Sequence, residues 1–216
     1  MTAHKKLAFG LIADGNRRWA KGQNLPTGRG HEAGFEVIRT VLLPALYDHP
    51  DWDRLAIYAF STENWGRSPS EVKDLMKLFQ RLDKWGEELH QKKIRLVHAG
   101  RKDRLPKALL KTINYWEEVT AENQAFTVVV CLDYGSQDEI TRAVEAGGSN
   151  FTAHLEVPPL DLILRTGGEQ RLSNFCLWQA AYAEFCFTNT FLPDLNAAEV
   201  TQVLEDFAAR DKRKGK

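Results

Sequence analysis

Four short polar stretches of this 216-residue sequence each contain glycine, and three of them also contain arginine, which suits anion binding. They are residues 14–19 (DGNRRW), 61–67 (STENWGR), 133–135 (DYG) and 165–173 (RTGGEQRLS). Backbone N–H groups beside a glycine are typical partners of phosphate oxygens. Glycine, asparagine and aspartate also form ordinary turns, but turns alone leave the neighbouring arginines and tryptophans unexplained. The pattern therefore favours a site for a phosphate-like anion.

Asp14 adds a carboxylate to the first stretch. A carboxylate repels a phosphate unless a divalent cation lies between them, and Mg²⁺ in proteins takes one or two carboxylates together with substrate phosphate oxygens. Asp14 beside Arg17 and Arg18 therefore predicts a metal-bound diphosphate. The competing interpretation, in which Asp14 only caps the following helix, leaves the arginines without a role.

The four stretches follow short apolar runs that predict strands. Six such runs lie at residues 7–13, 55–60, 94–99, 126–132, 160–164 and 184–188. They are continuous rather than alternating in polarity, which is typical of strands covered on both faces. Helical patterns separate them, at about residues 35–47 (bent near Pro44), 68–82, 106–122, 137–146, 174–183 and 197–210.

This alternation predicts an α/β fold, a single domain over residues 1–216 with an open, mostly parallel six-stranded sheet flanked by helices. The carboxyl ends of parallel strands share one edge, where ligands bind, so the four stretches are expected to meet there. Residues 210–216 are a basic tail that is expected to fray.

The clearest helix follows the second stretch. Ser68 is an N-cap, Pro69 takes the first helical position and Glu71 lies three residues after the cap. The helix carries an apolar stripe, Val72, Leu75, Met76, Phe79 and Leu82. Such a stripe is more often part of the core, but it also suits the wall of an apolar tunnel.

Composition limits the possible functions. Lysine plus arginine and aspartate plus glutamate number 29 each, so the balance argues against a nucleic-acid partner bound through a global positive field. The three cysteines lack metal-ligand spacing and indicate a reducing compartment. Because no apolar run approaches the roughly 18–20 residues of a membrane span, a cytoplasmic protein is expected.

Familiar catalytic motifs do not account for the pattern. The string at residues 28–33 (GRGHEA) matches a dinucleotide-binding fingerprint, but no strand is predicted before it. The sequence contains no G-x-x-x-x-G-K-[ST], G-x-S-x-G or H-E-x-x-H string, which disfavours the usual nucleoside triphosphatase, α/β-hydrolase and zincin chemistry.

Three strings in order, DGNRRWA, YAFSTENWGRSPSEV and RTGGEQRLSNFCLWQAAYAE, resemble the cis-prenyltransferases, the undecaprenyl diphosphate synthase family. The likeness extends over about residues 7–213 and includes the basic end RDKRKG. It implies condensation of isopentenyl diphosphate with an allylic diphosphate, Mg²⁺ as cofactor, a homodimer, and peripheral membrane association through the product.

The resemblance also implies roles for individual residues. Asp14 corresponds to the aspartate that holds Mg²⁺, Glu184 to a second metal ligand that reaches the neighbouring subunit's site, and Asn64 to a residue that assists proton removal. Residues matching the loop that cradles the allylic diphosphate are Gly15, Asn16, Arg17, Arg18, Trp19 and, just beyond, His31. Residues matching the segment that closes over substrate are Ser61, Thr62, Glu63, Trp65 and Arg67, beside Asn64. Residues matching the isopentenyl diphosphate site are Arg165, Arg171, Leu172 and Ser173.

The sequence departs from the family pattern at several positions. Ala8, Ala13 and Thr27 replace a histidine, a methionine and an arginine, and Arg29 is a candidate substitute for the last. A string NYGGR common in the family reads DYGSQ here, with Ser136 and Gln137 as the departures. The connection over residues 147–159 is short for the family, which is compatible with a smaller tunnel and a shorter product.

Two alternatives stay open beside regular elongation. One is irregular, head-to-middle condensation of two allylic diphosphates, as in cyclolavandulyl-type relatives; the retained RTGGEQRLSN string favours elongation instead. The other is a non-catalytic partner subunit, but such subunits lose the aspartate loop, and this chain keeps residues 14–19.

Overall fold

The computed structural model describes residues 6–210. They include six strands, β1 (Leu7–Ile12), β2 (Trp52–Ser61), β3 (Ile94–Ala99), β4 (Phe126–Tyr134), β5 (Leu162–Arg165) and β6 (Glu184–Phe187). The strands form one sheet in the order β3-β4-β2-β1-β5-β6, and all five neighbouring pairs are parallel. The predicted α/β sheet is confirmed. It is all-parallel within the described residues, rather than mostly parallel. The basic tail after Arg210 lies outside them.

Helices flank both faces of this sheet. They are α1 (Asn16–Gly22), α2 (Thr27–Val37), α3 (Leu43–Tyr47), α4 (Pro69–Phe79), α5 (Leu82–Gln91), α6 (Lys107–Val119), α7 (Ser136–Gly147) and α8 (Ala197–Ala209). The Ser68 hydroxyl accepts a hydrogen bond from the backbone N–H of Glu71, as the capping pattern predicts (3.4 Å). The helix predicted at 68–82 is two helices, because the chain breaks between Phe79 and Leu82.

The helix predicted at 174–183 is wrong. This segment is a series of turns, and Asn174 and Cys176 have positive φ angles of 64° and 47°. Left-handed backbone at two nearby positions cannot continue a right-handed helix. The segment still buries four residues at helix-like spacing: Phe175, Cys176, Gln179 and Ala180. This spacing arises because an irregular segment packs on the sheet.

The helix predicted at 35–47 begins earlier, at Thr27, and contains a π-helical turn over Ile38–Leu42 just before Pro44. A wide turn at this place fits a proline that lacks a backbone N–H. The dinucleotide-like string at 28–33 lies inside α2. A Cβ at Gly30 would come within 2.1 Å of the Asn16 carbonyl oxygen, so this glycine permits close packing of α1 on α2.

The sheet has two differently packed faces, because neighbouring residues along a strand point to opposite sides. Phe9 and Leu11 of β1 belong to a large apolar core on the first face. Ala8 and Ile12 belong to a smaller core on the second face. Val157 of the short connection packs in the second core. Over residues 6–210, no helix is long and apolar enough to cross a membrane.

Candidate active site

Asp14 and Arg165 lie next to each other because they stand at the carboxyl ends of neighbouring strands, Arg165 as the last residue of β5 and Asp14 two residues after β1. Ile12 of β1 is level with Arg165 of β5. One guanidinium nitrogen of Arg165 (Nη2) donates to Asp14 Oδ2 at 2.8 Å, and the other (Nη1) donates to the Ser173 hydroxyl at 2.9 Å and to the Arg171 carbonyl. The side chain of Arg165 is only 5% exposed. The first and last predicted stretches therefore form one connected unit.

Thr166 and Gly167 fix this unit through the backbone. The Thr166 hydroxyl accepts from the Asp14 N–H at 3.0 Å and donates to the Asp14 carbonyl at 2.7 Å. Gly167 has a φ of 85°, and a Cβ there would lie 2.8 Å from a guanidinium nitrogen of Arg18. A glycine is thus required for the two loops to approach so closely. Thr166 is a site residue that sequence reasoning missed, although it lies inside the quoted RTGG string.

The Asp14 carboxylate is held in its ionised form. Burial by itself raises its pKa, but the hydrogen bond from Arg165, the bond from the Gly15 N–H (2.6 Å) and the charge of Arg18 outweigh burial and lower the pKa below its usual value. Asp14 therefore presents a negative charge among arginines at neutral pH. It does not act as the N-cap of α1, because Gly15 takes that position.

A polar cleft of about 660 Å³ opens beside Asp14. It brings together residues from the first stretch, from α2 and from the end of the second stretch. Its lining consists of Ala13, Asp14, Gly15, Asn16, Arg17, Arg18, Lys21, Leu25, Pro26, Thr27, His31 and Arg67. Arg29, the candidate substitute for the arginine replaced by Thr27, does not line the cleft; it pairs with Glu32 at 2.6 Å.

The second stretch forms a 3₁₀ turn over Thr62–Gly66, between β2 and α4. Asn64 closes this turn by accepting from the Ser61 N–H at 3.2 Å. Glu63 accepts from the Asn174 side chain at 2.9 Å. Of the residues predicted for the closing segment, only Arg67 lines the cleft. The turn lies at the same edge of the sheet as Asp14 but is held by its own hydrogen bonds.

Glu71 is a second site residue that the sequence reading missed. One of its oxygens, Oε1, lies 3.0 Å from Arg67, 3.6 Å from Arg17 and 3.8 Å from His31. Its side chain is only 12% exposed. The spacing Arg67–Glu71, four residues apart at the start of a helix, is the sequence signal that indicates the pairing.

His31 is a neutral imidazole at the inner end of the cleft. Burial lowers its pKa from 6.5 to about 4; the positive charges of Arg67 and Arg17 also lower it, and Glu71 only partly compensates. The His31 Nε2 and the Asn16 Oδ1 are buried and have no hydrogen-bond partner. Unpaired buried polar atoms are costly, so these two atoms mark a place suited to a ligand.

An apolar cavity of about 60 Å³ begins where the cleft ends. Ala13, Asn16 and His31 line both spaces. The remaining lining comes from α2, the π-helical turn after it, β2, α4, α5, β4 and the turn at Leu192: Phe35, Ile38, Ile57, Ala59, Leu75, Leu78, Phe79, Leu82, Trp85, Val130 and Leu192. All five members of the predicted stripe lie in or pack against the large core, and three of them, Leu75, Phe79 and Leu82, also line the cavity. The expected opening from the sheet edge into the apolar interior exists as this small cavity.

Several predicted site residues lie outside the cleft lining. The Trp19 indole donates to Asp194 at 2.6 Å, Trp65 packs on Phe60 with ring centroids 5.1 Å apart, and Arg171 pairs with Glu169. Leu172 packs on the core of the second face.

Glu184 lies at the start of β6, level with Leu162 and hence with Phe9. It pairs with Arg210 at 2.7 Å. Asp14 is five residues beyond Phe9, roughly 16 Å along the strands. Glu184 and Asp14 of one chain therefore do not share a metal ion.

A divalent cation would have Asp14 as its protein ligand in this cleft. The described residues contain no group of three histidine, cysteine, aspartate or glutamate side chains able to hold a metal. A site with one carboxylate fits a Mg²⁺ ion that takes its other ligands from a diphosphate and water. The surrounding arginines supply the charge that a diphosphate requires.

Comparison with known proteins agrees with the geometry. Residues 12–215 match the family model described as putative undecaprenyl diphosphate synthase. A polyprenyl diphosphate synthase of Thermobifida fusca, described as (2Z,6E)-farnesyl diphosphate specific, is 40% identical over 95% of this chain and 79% of its own. An isoprenyl transferase of Brucella abortus is 40% identical over 95% of this chain and 87% of its own.

Two solved structures share the fold. Lavandulyl diphosphate synthase from Lavandula x intermedia, in complex with dimethylallyl diphosphate, is 31% identical with a TM-score of 0.89 and covers 97% of this chain and 98% of its own. A probable undecaprenyl diphosphate synthase from Campylobacter jejuni is 30% identical with a TM-score of 0.84, over 98% and 99%. The chain belongs to the undecaprenyl diphosphate synthase family and is a prenyltransferase.

Proposed function

We propose that this enzyme condenses isopentenyl diphosphate with an allylic diphosphate to give a cis-prenyl diphosphate, with Mg²⁺ as cofactor. The observation that carries the proposal is the junction of the polar cleft and the apolar cavity at Ala13, Asn16 and His31. An allylic diphosphate has a charged head and an apolar tail, and its reacting carbon lies between the two. The junction offers each part a matching environment.

The chain's own groups suit ionisation of the allylic substrate. Arg17 and Arg18 line the cleft and would bind the oxygens of the diphosphate leaving group, stabilising the charge that develops when the carbon–oxygen bond breaks. Asp14 would hold Mg²⁺ on the same diphosphate, and the bound ion would supply further charge stabilisation. Gly15 and Asn16 bring the backbone to the head group.

Arg165, Arg171 and Ser173 would bind the isopentenyl diphosphate. Arg165 already contacts both Asp14 and Ser173, so it would hold the two head groups side by side. The double-bond electrons of isopentenyl diphosphate then form the new bond to the allylic carbon, whose bond to the diphosphate oxygen breaks. The released pyrophosphate takes up the proton that leaves the adjacent carbon, which completes the new double bond. Asn64 would assist proton removal after its side chain releases the Ser61 N–H as the 61–67 segment closes.

The homodimer belongs to the same proposal. β6 is an edge strand, and its Phe185 and Phe187 rings are exposed and stacked 6.2 Å apart. Tyr182, directly before it, is 80% exposed, and Trp178 is also exposed. An apolar edge of this kind suits a second copy of the chain. Glu184 lies on this strand, so the metal role implied for it would be exerted across the dimer.

Irregular condensation of two allylic diphosphates is a second candidate. The likeness to lavandulyl diphosphate synthase is the observation that favours it. Elongation is preferred because the isopentenyl-site string around Arg165, Arg171 and Ser173 is retained. The cytoplasmic location and the product-mediated contact with membranes stay predictions.

The test is an assay of the purified protein with Mg²⁺, isopentenyl diphosphate and C5, C10, C15 or C20 allylic starters. We expect elongated cis products and released pyrophosphate only when both substrates are present. Product from dimethylallyl diphosphate alone would support irregular condensation, and no product from any starter would contradict both candidates.

A variant tests the role of Asp14. Asp14→Asn keeps a hydrogen-bond acceptor for Arg165 but removes the charge, so we expect turnover of the folded variant to fall by about 10³-fold. Asp48→Asn, at an exposed position after α3, is the control and should keep full turnover. Unchanged turnover of Asp14→Asn would refute the assigned role.

A further inference from the structure

The apolar cavity has a second boundary, on the side away from the cleft. Phe35 of α2 and Trp85 of α5 line the cavity, and the same two side chains line a groove on the protein surface. Their ring centroids are 5.4 Å apart and the ring planes meet at 81°, an edge-to-face contact. One layer of two aromatic rings, here called the Phe35–Trp85 partition, therefore separates the cavity from the groove.

Helix α6 supports the partition through its contacts with α5. Trp85 is only 3% exposed. The next residue, Gly86, is pressed against α6, where a Cβ would lie 2.3 Å from the Trp116 ring. The Trp116 indole donates to Asp83 of α5 at 3.2 Å. Helix α5 therefore cannot move away from the cavity without displacing α6, and the Trp85 ring stays in place.

The two sides of the partition are also linked at the surface. Arg39, in the π-helical turn after α2, pairs with Glu88 of α5 at 3.0 Å and with Glu36 at 2.8 Å. The groove outside is lined mainly by charged side chains: Glu36, Arg39, Lys77, Arg81, Asp83, Lys84 and Glu88. A hydrocarbon chain that passed the partition would leave an apolar cavity for a charged, solvent-facing surface.

The volume of the cavity limits the length of the hydrocarbon tail that fits in it. An apolar cavity of roughly 150 Å³ holds a benzene-sized group, whereas this cavity measures about 60 Å³. Each elongation step adds five carbons to the chain. A longer tail must therefore displace side chains of the cavity wall, and the Phe35–Trp85 partition lies on the part of the wall that is braced against α6.

We infer that the Phe35–Trp85 partition is the stop that sets product length, and that the enzyme releases short cis-prenyl diphosphates rather than long C50–C55 chains. This inference rests on the proposed function. From the sequence, a short product was attributed to the short connection over residues 147–159, and the partition is a different cause. The short connection over residues 147–159 lines no part of the cavity, and its Val157 packs on the opposite face of the sheet.

The test compares products of Trp85→Ala with those of the wild-type enzyme, given excess isopentenyl diphosphate, Mg²⁺ and a C5 or C15 starter. Removing the indole adds space comparable with the roughly 150 Å³ of a benzene-sized cavity and opens a path to the groove. We expect the main product to lengthen by at least about one five-carbon unit. Leu89→Ala is the matched control, because Leu89 is equally buried on the same helix but does not line the cavity; its product should keep the wild-type length.

Trp85→Leu and Phe35→Leu repeat the test with smaller losses of volume, should the alanine variant fail to fold. Longer products from either variant support the partition as the stop. Wild-type products of C50–C55, or active variants whose products keep the wild-type length, would overturn it. These outcomes differ from a failure of the proposed function. In that case the wild-type enzyme would form no product from isopentenyl diphosphate.

Discussion

The two faces of the sheet differ most just below the edge that carries the polar cleft. On the first face, Ala13, directly after β1, and Ala59, near the end of β2, both line the apolar cavity. On the second face, aromatic rings fill the corresponding level: Tyr58 stacks on Phe175 at 4.8 Å and meets Tyr134 edge-on at 6.0 Å. The open space therefore lies on the first face beside two small side chains, whereas rings occupy the second face at this level.

A buried polar network closes the second face further down. Glu139 of α7 is buried and accepts hydrogen bonds from the N–H groups of Glu156 and Val157 at 2.8 and 3.1 Å. It also accepts from the Gln179 side chain at 2.9 Å and from the Tyr134 hydroxyl. Burial raises the pKa of Tyr134, so the phenol stays protonated and keeps donating. The first face has its space at the junction with the cleft, whereas the second face is filled around Glu139, whose two carboxylate oxygens accept four hydrogen bonds.

The largest expected effect comes from breaking that network. Glu139→Ala leaves several buried donors without an acceptor, so we expect the free energy of unfolding to fall by about 3–5 kcal/mol. Urea denaturation measures the loss. Glu145→Ala, at an exposed position of the same helix, should change stability by less than about 0.5 kcal/mol. A loss below about 1 kcal/mol for Glu139→Ala would show that the network does not hold this face closed.

The next effect concerns the unpaired histidine on the first face. The pKa of His31 is about 4 in the folded protein and about 6.5 when the chain is unfolded. The unfolded chain therefore takes up a proton first as the pH falls, so stability present above pH 6.5 is lost toward pH 4. We expect His31 to account for a loss of about 2 kcal/mol between pH 7.5 and pH 5.

Comparison with His31→Gln isolates this contribution. The variant has a side chain that does not titrate, so its stability should depend less on pH over the same range. Denaturant unfolding of both proteins at pH 7.5, 6 and 5 gives the difference. Equal pH dependence in the two proteins would mean that His31 is not buried in its neutral form.

The smallest effect comes from filling the space on the first face. Ala59→Leu places a larger side chain in the cavity, so we expect kcat/KM for a C15 starter to fall about 10-fold, or about 1.4 kcal/mol, with a smaller loss for a C5 starter. Steady-state kinetics with both starters provide the comparison, and the C5 starter serves as the internal control. Equal losses for both starters would argue that the tail does not lie in this cavity.

Much of the cleft was predictable because it follows from strand order. Residues directly after parallel strands meet at one edge of the sheet, so Asp14 and Arg165 could be expected together although 151 positions separate them. The role of Glu71 was not predictable in the same way. The capping pattern at the start of α4 already explained why a glutamate stands at position 71. Its contacts with Arg17 and His31 depend on how α1 and α2 pack against α4, which the local sequence does not indicate.

Neither the irregular segment at 174–183 nor the depth of the cavity could be predicted from the sequence, and the reasons differ. In the segment 174–183, buried residues recur at helix-like spacing although Asn174 and Cys176 have left-handed backbone. The spacing indicates which residues are buried, and it does not determine their dihedral angles. The cavity ends where it does because the break before Leu82 starts a new helix that directs Trp85 toward Phe35. Neither the break nor the ring contact has a local sequence signal.

A crystal structure with Mg²⁺ and a non-reactive allylic thiodiphosphate tests the central claim most directly. The account predicts the diphosphate among residues 14–18, the metal on Asp14, and the tail passing Ala13, Asn16 and His31 into the cavity on the first face. A tail on the second face, beside Tyr58 and Phe175, or a diphosphate bound away from Asp14, would contradict it.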